Sequence, residues 1–220
     1  MEKEKEEKEE KEEKEEINYI IVWDSDVGKT NLILSFIGTL IEEEEEDSQK
    51  ITSYNKTLTL DDEKYNLKLW DTPGKESSRA LLQTHFCKCE CQLFVYYITN
   101  SSSFKKISNF IEQSKLNASK NVVRVLIGNK SDLTYERNVS MEEGQKFARH
   151  NKMLFFETSA KTGQTVKDVF IHSAKIISKI KKNNSYNWEN EVFGMDEVVE
   201  AKEAGKKNKT KSLCDCCSII

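Results

Sequence analysis

Short apolar runs alternate with helical stretches along residues 17–182, and this alternation limits the fold more than any other feature. The apolar runs lie at residues 17–23, 65–69, 93–98, 122–127 and 153–156. Helical patterns lie between them at residues 29–37, 102–119, 140–151 and 165–181. Strands that alternate with helices favour parallel pairing, with the helices packed on the sheet. The sequence therefore predicts an α/β fold: a doubly wound, mostly parallel six-stranded sheet with helices on both faces.

The sixth strand is expected from a hairpin. Alternating apolar residues at 58 and 60, and again at 65, 67 and 69, flank the turn-forming Asp61-Asp62-Glu63. Two helices also carry local signals. Ser140 and Glu143 have the spacing of a capping box. The last helix has an apolar face made of Val166, Val169, Phe170, Ala174, Ile177 and Ile180.

Charge is concentrated at the N-terminus. Residues 1–16 contain ten Glu and five Lys, a net charge of −5. Because the net charge of the whole chain is −4, residues 17–220 carry about +1. A nearly neutral body does not support a nucleic-acid-binding stripe, and no nucleic-acid partner is expected. Residues 1–16 are predicted to be a Glu/Lys low-complexity tail, 17–182 the folded domain and 183–220 a flexible tail.

The first residues, MEKEKEEKEE, are charged where a secretory signal would have an apolar segment, so we expect a cytosolic protein. The longest nearly apolar stretch, residues 32–41, is too short to form a membrane-spanning helix. Membrane contact is therefore expected only through an added anchor.

Gly28-Lys29-Thr30 lies where a predicted strand meets a predicted helix. Unpaired amide groups and the positive end of the helix suit a polyphosphate at this position. Lys29 would contact the terminal phosphates, and the Thr30 hydroxyl would bind Mg²⁺. The tripeptide alone is weak evidence in a lysine-rich chain, and its position after a strand strengthens it.

Three further motifs follow predicted strands, where open α/β sheets bind ligands: Trp70-Asp71-Thr72-Pro73-Gly74, Asn129-Lys130-Ser131-Asp132 and Glu157-Thr158-Ser159-Ala160-Lys161. Asp71 would supply a carboxylate to Mg²⁺, and the Gly74 amide can approach a γ-phosphate because glycine has no side chain. Asp132 can accept both N–H groups of guanine, whereas adenine would leave the carboxylate unpaired. The motifs therefore predict a site that prefers guanine.

In their order and spacing these motifs resemble those of the Ras superfamily of small GTPases. The Trp-Asp-Thr-x-Gly-x-Glu stretch and the C-terminal cysteine pair make the Rab branch the most similar. The resemblance implies GTP or GDP with Mg²⁺ as ligands. It makes Asp26, Val27, Gly28, Lys29, Thr30 and Asn31 the phosphate loop. It assigns base recognition to Asn129 and Asp132, with Lys130 along the base and Ser159, Ala160 and Lys161 around the guanine carbonyl.

The Rab resemblance also implies partners and a location. The expected partners are exchange proteins, activating proteins, effectors, a prenylation escort and a GDP-dissociation inhibitor. The expected role is a switch in vesicle traffic on the cytoplasmic face of endomembranes, with a cytosolic pool. Cys216-Cys217-Ser218-Ile219-Ile220 resembles a Rab prenylation terminus, so Cys216 and Cys217 are the expected prenylation sites. Two lipid chains would give stable attachment where one is reversible.

The phosphate loop departs from the family pattern. Trp23 and Asp26 stand where the family usually has glycine. If the Asp26 carboxylate lies ~5 Å from a phosphate charge, the repulsion is roughly 3 kcal/mol, on the order of a hundredfold in affinity. The carboxylate could instead point into water, leaving only its amide to the nucleotide. An alternative function therefore stays open, a pseudo-GTPase that acts as a membrane-tethered protein-binding module.

The two switch segments, which contain Ser48 and Lys75, also depart from the family pattern. Lys75 occupies the position of the glutamine that orients the attacking water, and lysine has no acceptor for that water, so we expect slow intrinsic hydrolysis. Ser48 is the residue at the usual distance from Thr30 for the second hydroxyl on Mg²⁺, although its neighbours do not match the Rab pattern.

A second cysteine cluster, Cys87, Cys89 and Cys91, could bind a soft metal as thiolates. The favoured interpretation is structural. Alternate residues entering a strand share one face, and closed zinc sites usually have four ligands at other spacings.

Overall fold

The computed structural model describes residues 15–22, 29–38, 52–72, 79–119, 121–190 and 192–193. These residues form six strands, β1 (Glu15–Val22), β2 (Thr52–Leu60), β3 (Glu63–Asp71), β4 (Cys91–Tyr97), β5 (Val123–Asn129) and β6 (Leu154–Thr158). They also form the helices α1 (Lys29–Ile37), α2 (Arg79–Phe86), α3 (Ser101–Asn117), α4 (Met141–His150) and α5 (Val166–Lys182).

The strands form one sheet in the order β2-β3-β1-β4-β5-β6. Only the β2–β3 pair is antiparallel, and the other four pairs are parallel. The prediction of a mostly parallel six-stranded sheet is therefore confirmed. Because five strands run in the same direction, their carboxyl ends lie along one edge of the sheet.

Helices pack on both faces of this sheet, as predicted. Ile20 of β1 belongs to an apolar cluster with Ile107 of α3 and Ala148 of α4. On the opposite face, the hydroxyl of Tyr19 is 3.0 Å from that of Ser173 in α5. Successive residues of a strand point to opposite faces, so one buried strand contributes side chains to the apolar cores on both faces of the sheet.

Aromatic stacking joins the helices of the α1–α5 face. The rings of Phe36 and Phe170 stack with centroids 3.8 Å apart, and Phe170 is fully buried. All six residues predicted for the apolar face of α5 are buried. Burying a side chain of this size contributes about 1.5–3 kcal/mol, which explains why this face holds α5 on the sheet.

Local sequence signals place the ends of several elements. Ser140 and Glu143 form the predicted capping box at the start of α4. The β2–β3 hairpin turns at Asp61 and Asp62, both with positive φ, the backbone form of tight two-residue hairpins. Helix α2 has no counterpart among the predictions, because eight residues are too few to show an apolar period.

Strand β1 begins two residues before the predicted start, inside the predicted Glu/Lys tail. Glu15 and Glu16 pair with residues 65 and 66 of β3. The main chain forms these hydrogen bonds whatever the side chains are, and the Glu16 carbonyl also accepts from Lys181 Nζ at 2.6 Å. Exposed glutamates can therefore extend a buried strand.

The chain divides into two compact units, Met1–Tyr186 and Asn187–Ile220. The first contains the sheet and the helices named above. In the second, the rings of Trp188 and Phe193 meet edge to face with centroids 5.9 Å apart. None of the helices in the described ranges has the length and apolar character required to cross a membrane.

Candidate functional site

The polar motifs lie at the edge of the sheet where the parallel strands end. Asp71 is the last residue of β3, Asn129 the last of β5 and Thr158 the last of β6. Helix α1 starts at Lys29, after β1 has ended at Val22. In open α/β sheets this edge is where ligands bind.

Thr30 and Asp71 form one half of the site. The Thr30 hydroxyl donates to Asp71 Oδ2 over 3.1 Å. Asp71 lies beside Ile21 in the β1–β3 pair, and the Ile21 carbonyl accepts a hydrogen bond of 2.7 Å from the Thr72 hydroxyl. These contacts fix a hydroxyl and a carboxylate at the start of α1. Hard oxygen ligands of this kind are those that Mg²⁺ prefers, so the donor set fits the predicted ion.

Asn129 belongs to the other half of the site, at the end of β5. Strands β1 and β4 lie between β3 and β5, so the ends of β3 and β5 are three strand intervals apart, or roughly 14 Å at ~4.8 Å per interval. Its side chain is buried, and Oδ1 accepts from the Thr158 hydroxyl at 3.2 Å and the Ala160 amide at 3.1 Å. Asn129 therefore ties the end of β5 to the loop after β6. These bonds occupy the carboxamide oxygen and direct the carboxamide group.

Asp132 is held by the same loop. Its Oδ1 accepts a hydrogen bond of 2.6 Å from the Ser159 hydroxyl, which itself accepts from the Thr162 amide at 3.1 Å. A carboxylate can accept about four hydrogen bonds, so this contact leaves capacity for the paired N–H groups of guanine. The structure thus brings together Asn129, Asp132 and Ser159, three residues predicted to recognise the base.

Lys130 adopts a left-handed backbone conformation with φ of 65°. Its ammonium group lies 4.0 Å from the centroid of the Tyr97 ring, a cation–π contact. The next residue is also fastened, because the Ser131 amide donates to the Thr158 carbonyl at 3.0 Å. The loop from Asn129 to Asp132 is therefore braced from both β4 and β6.

An ion pair between Arg137 and Glu157 supports the half of the site that is predicted to bind the base. Arg137 donates two hydrogen bonds to the carboxylate of Glu157, at 2.6 and 2.7 Å. These hydrogen bonds raise the pKa of Arg137 above its ordinary value. Glu157 lies in β6 one residue before Thr158, whose hydroxyl bonds Asn129, so the ion pair connects this end of β6 to the segment after the 3-10 turn Thr134–Glu136.

The remaining predicted residues divide into two groups. Lys29 starts α1, Asn31 is half-buried in the same helix, Ala160 is buried and Lys161 is exposed. The others lie outside the described residues, namely Trp23, Asp26, Val27, Gly28, Ser48, Gly74, Lys75, Cys216 and Cys217. Their roles stay predictions.

Three residues that contribute to the site were given no role by the sequence motifs, namely Thr72, Thr158 and Tyr97. The two threonines lie within recognised motifs, but only the folded sheet shows that their hydroxyls bond across strands. Tyr97 lies at the end of a predicted strand, and its pattern is that of core sequence. No sequence signal distinguishes it from a core residue, because its position beside Asn129 follows from the pairing of β4 with β5.

The three cysteines of this cluster lie between the end of α2 and the first residue of β4. Cys87 is exposed, whereas Cys89 and Cys91 are buried. Burial raises the pKa of Cys89 to about 12, so its thiol stays protonated at neutral pH in the metal-free chain. No metal-binding group of three or more His, Cys, Asp or Glu residues occurs within the described ranges. The predicted shared face is wrong in detail, because only Cys91 lies in the strand.

Comparison with known protein families agrees with this geometry. A model described as the Ras family matches residues 18–179, more than half of the chain and all six strands except the first residues of β1. Ras-family proteins are small GTPases that bind guanine nucleotides, which fits a site with a hydroxyl–carboxylate pair at one end and a held aspartate at the other. The chain therefore belongs to the Ras family.

Proposed function

We propose that this chain is a Rab-like GTP/GDP switch that is attached to the cytoplasmic face of endomembranes and acts in vesicle traffic. The proposal that this chain binds a nucleotide rests on one observation. The Thr30–Asp71 pair and the loop that contains Asn129 and Asp132 lie at the same edge of the sheet. A nucleoside diphosphate or triphosphate would lie along this edge. Its magnesium-bound phosphates would be at β1 and β3, and its base would be at β5 and β6.

The Rab assignment is supported by sequence. The Trp70-Asp71-Thr72-Pro73-Gly74 stretch, followed two residues later by Glu76, matches the Rab pattern. Cys216 and Cys217 would carry two prenyl groups, and nearby lysines would strengthen binding to an anionic surface by up to ~1 kcal/mol each. Exchange and activating proteins, effectors, a prenylation escort and a GDP-dissociation inhibitor would be the partners.

A direct test is nucleotide analysis of the purified full chain, followed by titration with GDP and GTP in the presence of Mg²⁺. We expect bound guanine nucleotide and micromolar or tighter affinity. No saturation at millimolar nucleotide would refute the switch. Asp26→Gly should tighten binding if charge repulsion weakens it, and an unchanged dissociation constant would remove that explanation.

A pseudo-GTPase is the second candidate, and the phosphate loop favours it. Trp23 and Asp26 both replace glycines that let the main chain approach phosphate. In this case the chain would be a membrane-tethered protein-binding module without a nucleotide cycle. Failure to bind nucleotide, combined with membrane association, would support the module.

Membrane attachment is tested separately in cells. We expect the wild-type chain in the membrane fraction, with a smaller cytosolic pool. Replacing Cys216 and Cys217 together with serine should move it to the cytosolic fraction. Replacing Cys214 alone, a cysteine outside the proposed pair, should leave the distribution unchanged. An unchanged distribution in the double variant would refute prenyl anchoring at these positions.

A further inference from the structure

Two adjacent tyrosines end strand β4, and each has a buried hydroxyl with no hydrogen-bond partner among the described residues. Tyr96 is 1 % exposed and Tyr97 is 3 % exposed. Because neighbouring residues of a strand point to opposite faces, the two hydroxyls lie in different surroundings. A buried hydroxyl without a partner is unfavourable, so each requires an explanation.

The surroundings of Tyr96 make it a core residue of the α3–α4 face. Its ring packs against Phe104 with centroids 4.7 Å apart. A Cβ atom at Gly128 or Gly144 would lie only 2.9 or 2.6 Å from its hydroxyl oxygen. The phenol therefore occupies space that two glycines leave open, and shape alone accounts for its position.

Tyr97 has different neighbours, and they belong to the nucleotide site. It is the last residue of β4 and pairs with Asn129, the first residue of the base-recognition motif. Its ring faces the ammonium group of Lys130 at 4.0 Å from the centroid. Burial raises the pKa of Tyr97, so the phenol keeps its proton and is a hydrogen-bond donor at neutral pH.

Strand order indicates which part of a nucleotide would lie at this position. The phosphate and magnesium ligands lie at the ends of β3 and β1, and the base ligands lie at the ends of β5 and β6. Strand β4 is between β1 and β5 in the sheet. The end of β4 therefore lies between the phosphate end and the base end of the site, where the sugar joins the two.

We propose that Tyr97 is a nucleotide-binding residue whose ring positions the Lys130 ammonium and whose hydroxyl donates a hydrogen bond to the sugar of the bound guanine nucleotide. This inference rests on the proposed nucleotide site and adds a contact that none of the sequence motifs contains. It would also give the Tyr97 hydroxyl the hydrogen-bond partner that none of the described residues supplies.

Tyr97→Phe tests the hydroxyl because it keeps the ring that faces Lys130. The readout is the dissociation rate of labelled GDP from the full chain in Mg²⁺, together with the unfolding temperature of the nucleotide-free chain. We expect GDP to dissociate about fivefold faster, the effect of losing one hydrogen bond. The unfolding temperature of the nucleotide-free chain should stay equal or rise, because an unpaired hydroxyl has been removed.

Tyr96→Phe is the matched control. It removes an equally buried hydroxyl from the opposite face of the same strand, so it should give the same thermal effect without any change in GDP dissociation. Tyr97→Leu removes the ring as well and should raise the dissociation rate beyond that of Tyr97→Phe. Equal rates for these two Tyr97 variants would overturn the role of the ring.

The proposal fails if Tyr97→Phe and the wild-type chain release GDP at the same rate. It also fails if the variant releases GDP more slowly, which would make Tyr97 an obstruction in the site. Faster release together with a lower unfolding temperature of the nucleotide-free chain would assign Tyr97 a structural role and overturn it too. If the wild-type chain binds no GDP, the proposed function fails as well, so the two failures are distinguishable.

Discussion

The Ser159 hydroxyl donates a hydrogen bond of 2.6 Å to Asp132 Oδ1 and so connects the loops that follow β6 and β5. Asn129 connects the same loops a second time, through the Thr158 hydroxyl and the Ala160 amide. The carboxylate of Asp132 is therefore oriented before any ligand binds. Pre-organisation of this kind reduces the entropy that binding must overcome.

Ser159→Ala should weaken GDP binding about tenfold, because Asp132 loses the hydrogen bond that orients its carboxylate. Isothermal titration calorimetry measures the change. Ser185→Ala, which alters an exposed serine beyond α5, is the matched control and should bind like the wild-type chain. Equal affinities for Ser159→Ala and wild type would show that Asp132 keeps its orientation without the hydroxyl.

The Arg137–Glu157 ion pair should contribute measurably to stability. Glu157 is 8 % exposed in its side chain and Arg137 is 25 % exposed, so solvent screens the pair only in part. Glu157→Gln should lower the free energy of unfolding by about 2 kcal/mol, the usual effect of losing hydrogen bonds to a charged group. Urea unfolding measures this change.

The double variant of this pair provides the control. Arg137→Met keeps the aliphatic stem and removes the charge. If the two groups act through each other, the combined variant should lose less stability than the sum of the single variants. Strictly additive losses would contradict a direct interaction.

Thr165 is strained at the start of α5. It has φ of 60° and ψ of −2°, in the left-handed region, and its side chain makes no capping hydrogen bond. This conformation costs an ordinary L-residue about 1–2 kcal/mol, and asparagine tolerates it better than a β-branched residue. Thr165→Asn should raise the free energy of unfolding by about 1 kcal/mol. Thr165→Val, which stays β-branched, should bring no gain, and an equal gain in both variants would contradict the explanation.

His85 should make stability depend on pH below neutrality. Its ring packs on Trp70 with centroids 4.8 Å apart, and burial, followed by the charge of Lys88, lowers its pKa below the ordinary 6.5. Below pH 6.5 the unfolded chain binds a proton at this residue while the folded chain stays neutral until its own lower pKa. The free energy of unfolding should therefore fall as the pH decreases from 6.5 through the folded-state pKa.

Urea unfolding at pH 7.5 and 5.5 measures this dependence. His85→Phe keeps an aromatic ring against Trp70 and should reduce the loss of stability between the two pH values. An undiminished loss in that variant would assign the pH dependence to other groups.

Lys75→Gln should speed GTP hydrolysis. Glutamine offers an amide oxygen that can accept a hydrogen bond from the attacking water, whereas lysine has donors only. Single-turnover hydrolysis of pre-bound GTP in Mg²⁺ measures the chemical step apart from nucleotide exchange. Lys75→Arg, which also lacks an acceptor, should hydrolyse GTP as slowly as the wild-type chain. Equal rates for the glutamine variant and wild type would refute the assignment of this position.

Much of the fold could be predicted because it depends on local patterns. The apolar face of α5 and the capping box at Ser140 and Glu143 are visible within a few residues, and both form as predicted. The sequence does not predict helix α2, because the helix is short, or the first two residues of β1, because their side chains are charged. In both cases main-chain pairing or packing outweighed the local side-chain signal.

Sequence patterns alone predict that strands alternate with helices. They also predict that the motifs containing Asp71, Asn129 and Thr158 lie at the carboxyl ends of strands in a parallel sheet. Periodicity and motif spacing are local properties, so they can be read without coordinates. The folded sheet is needed to show three contacts: Ser159 with Asp132, Thr30 with Asp71, and the Tyr97 ring with Lys130. These contacts join residues from different strands and helices, and the order and register of the strands in the sheet bring them within reach.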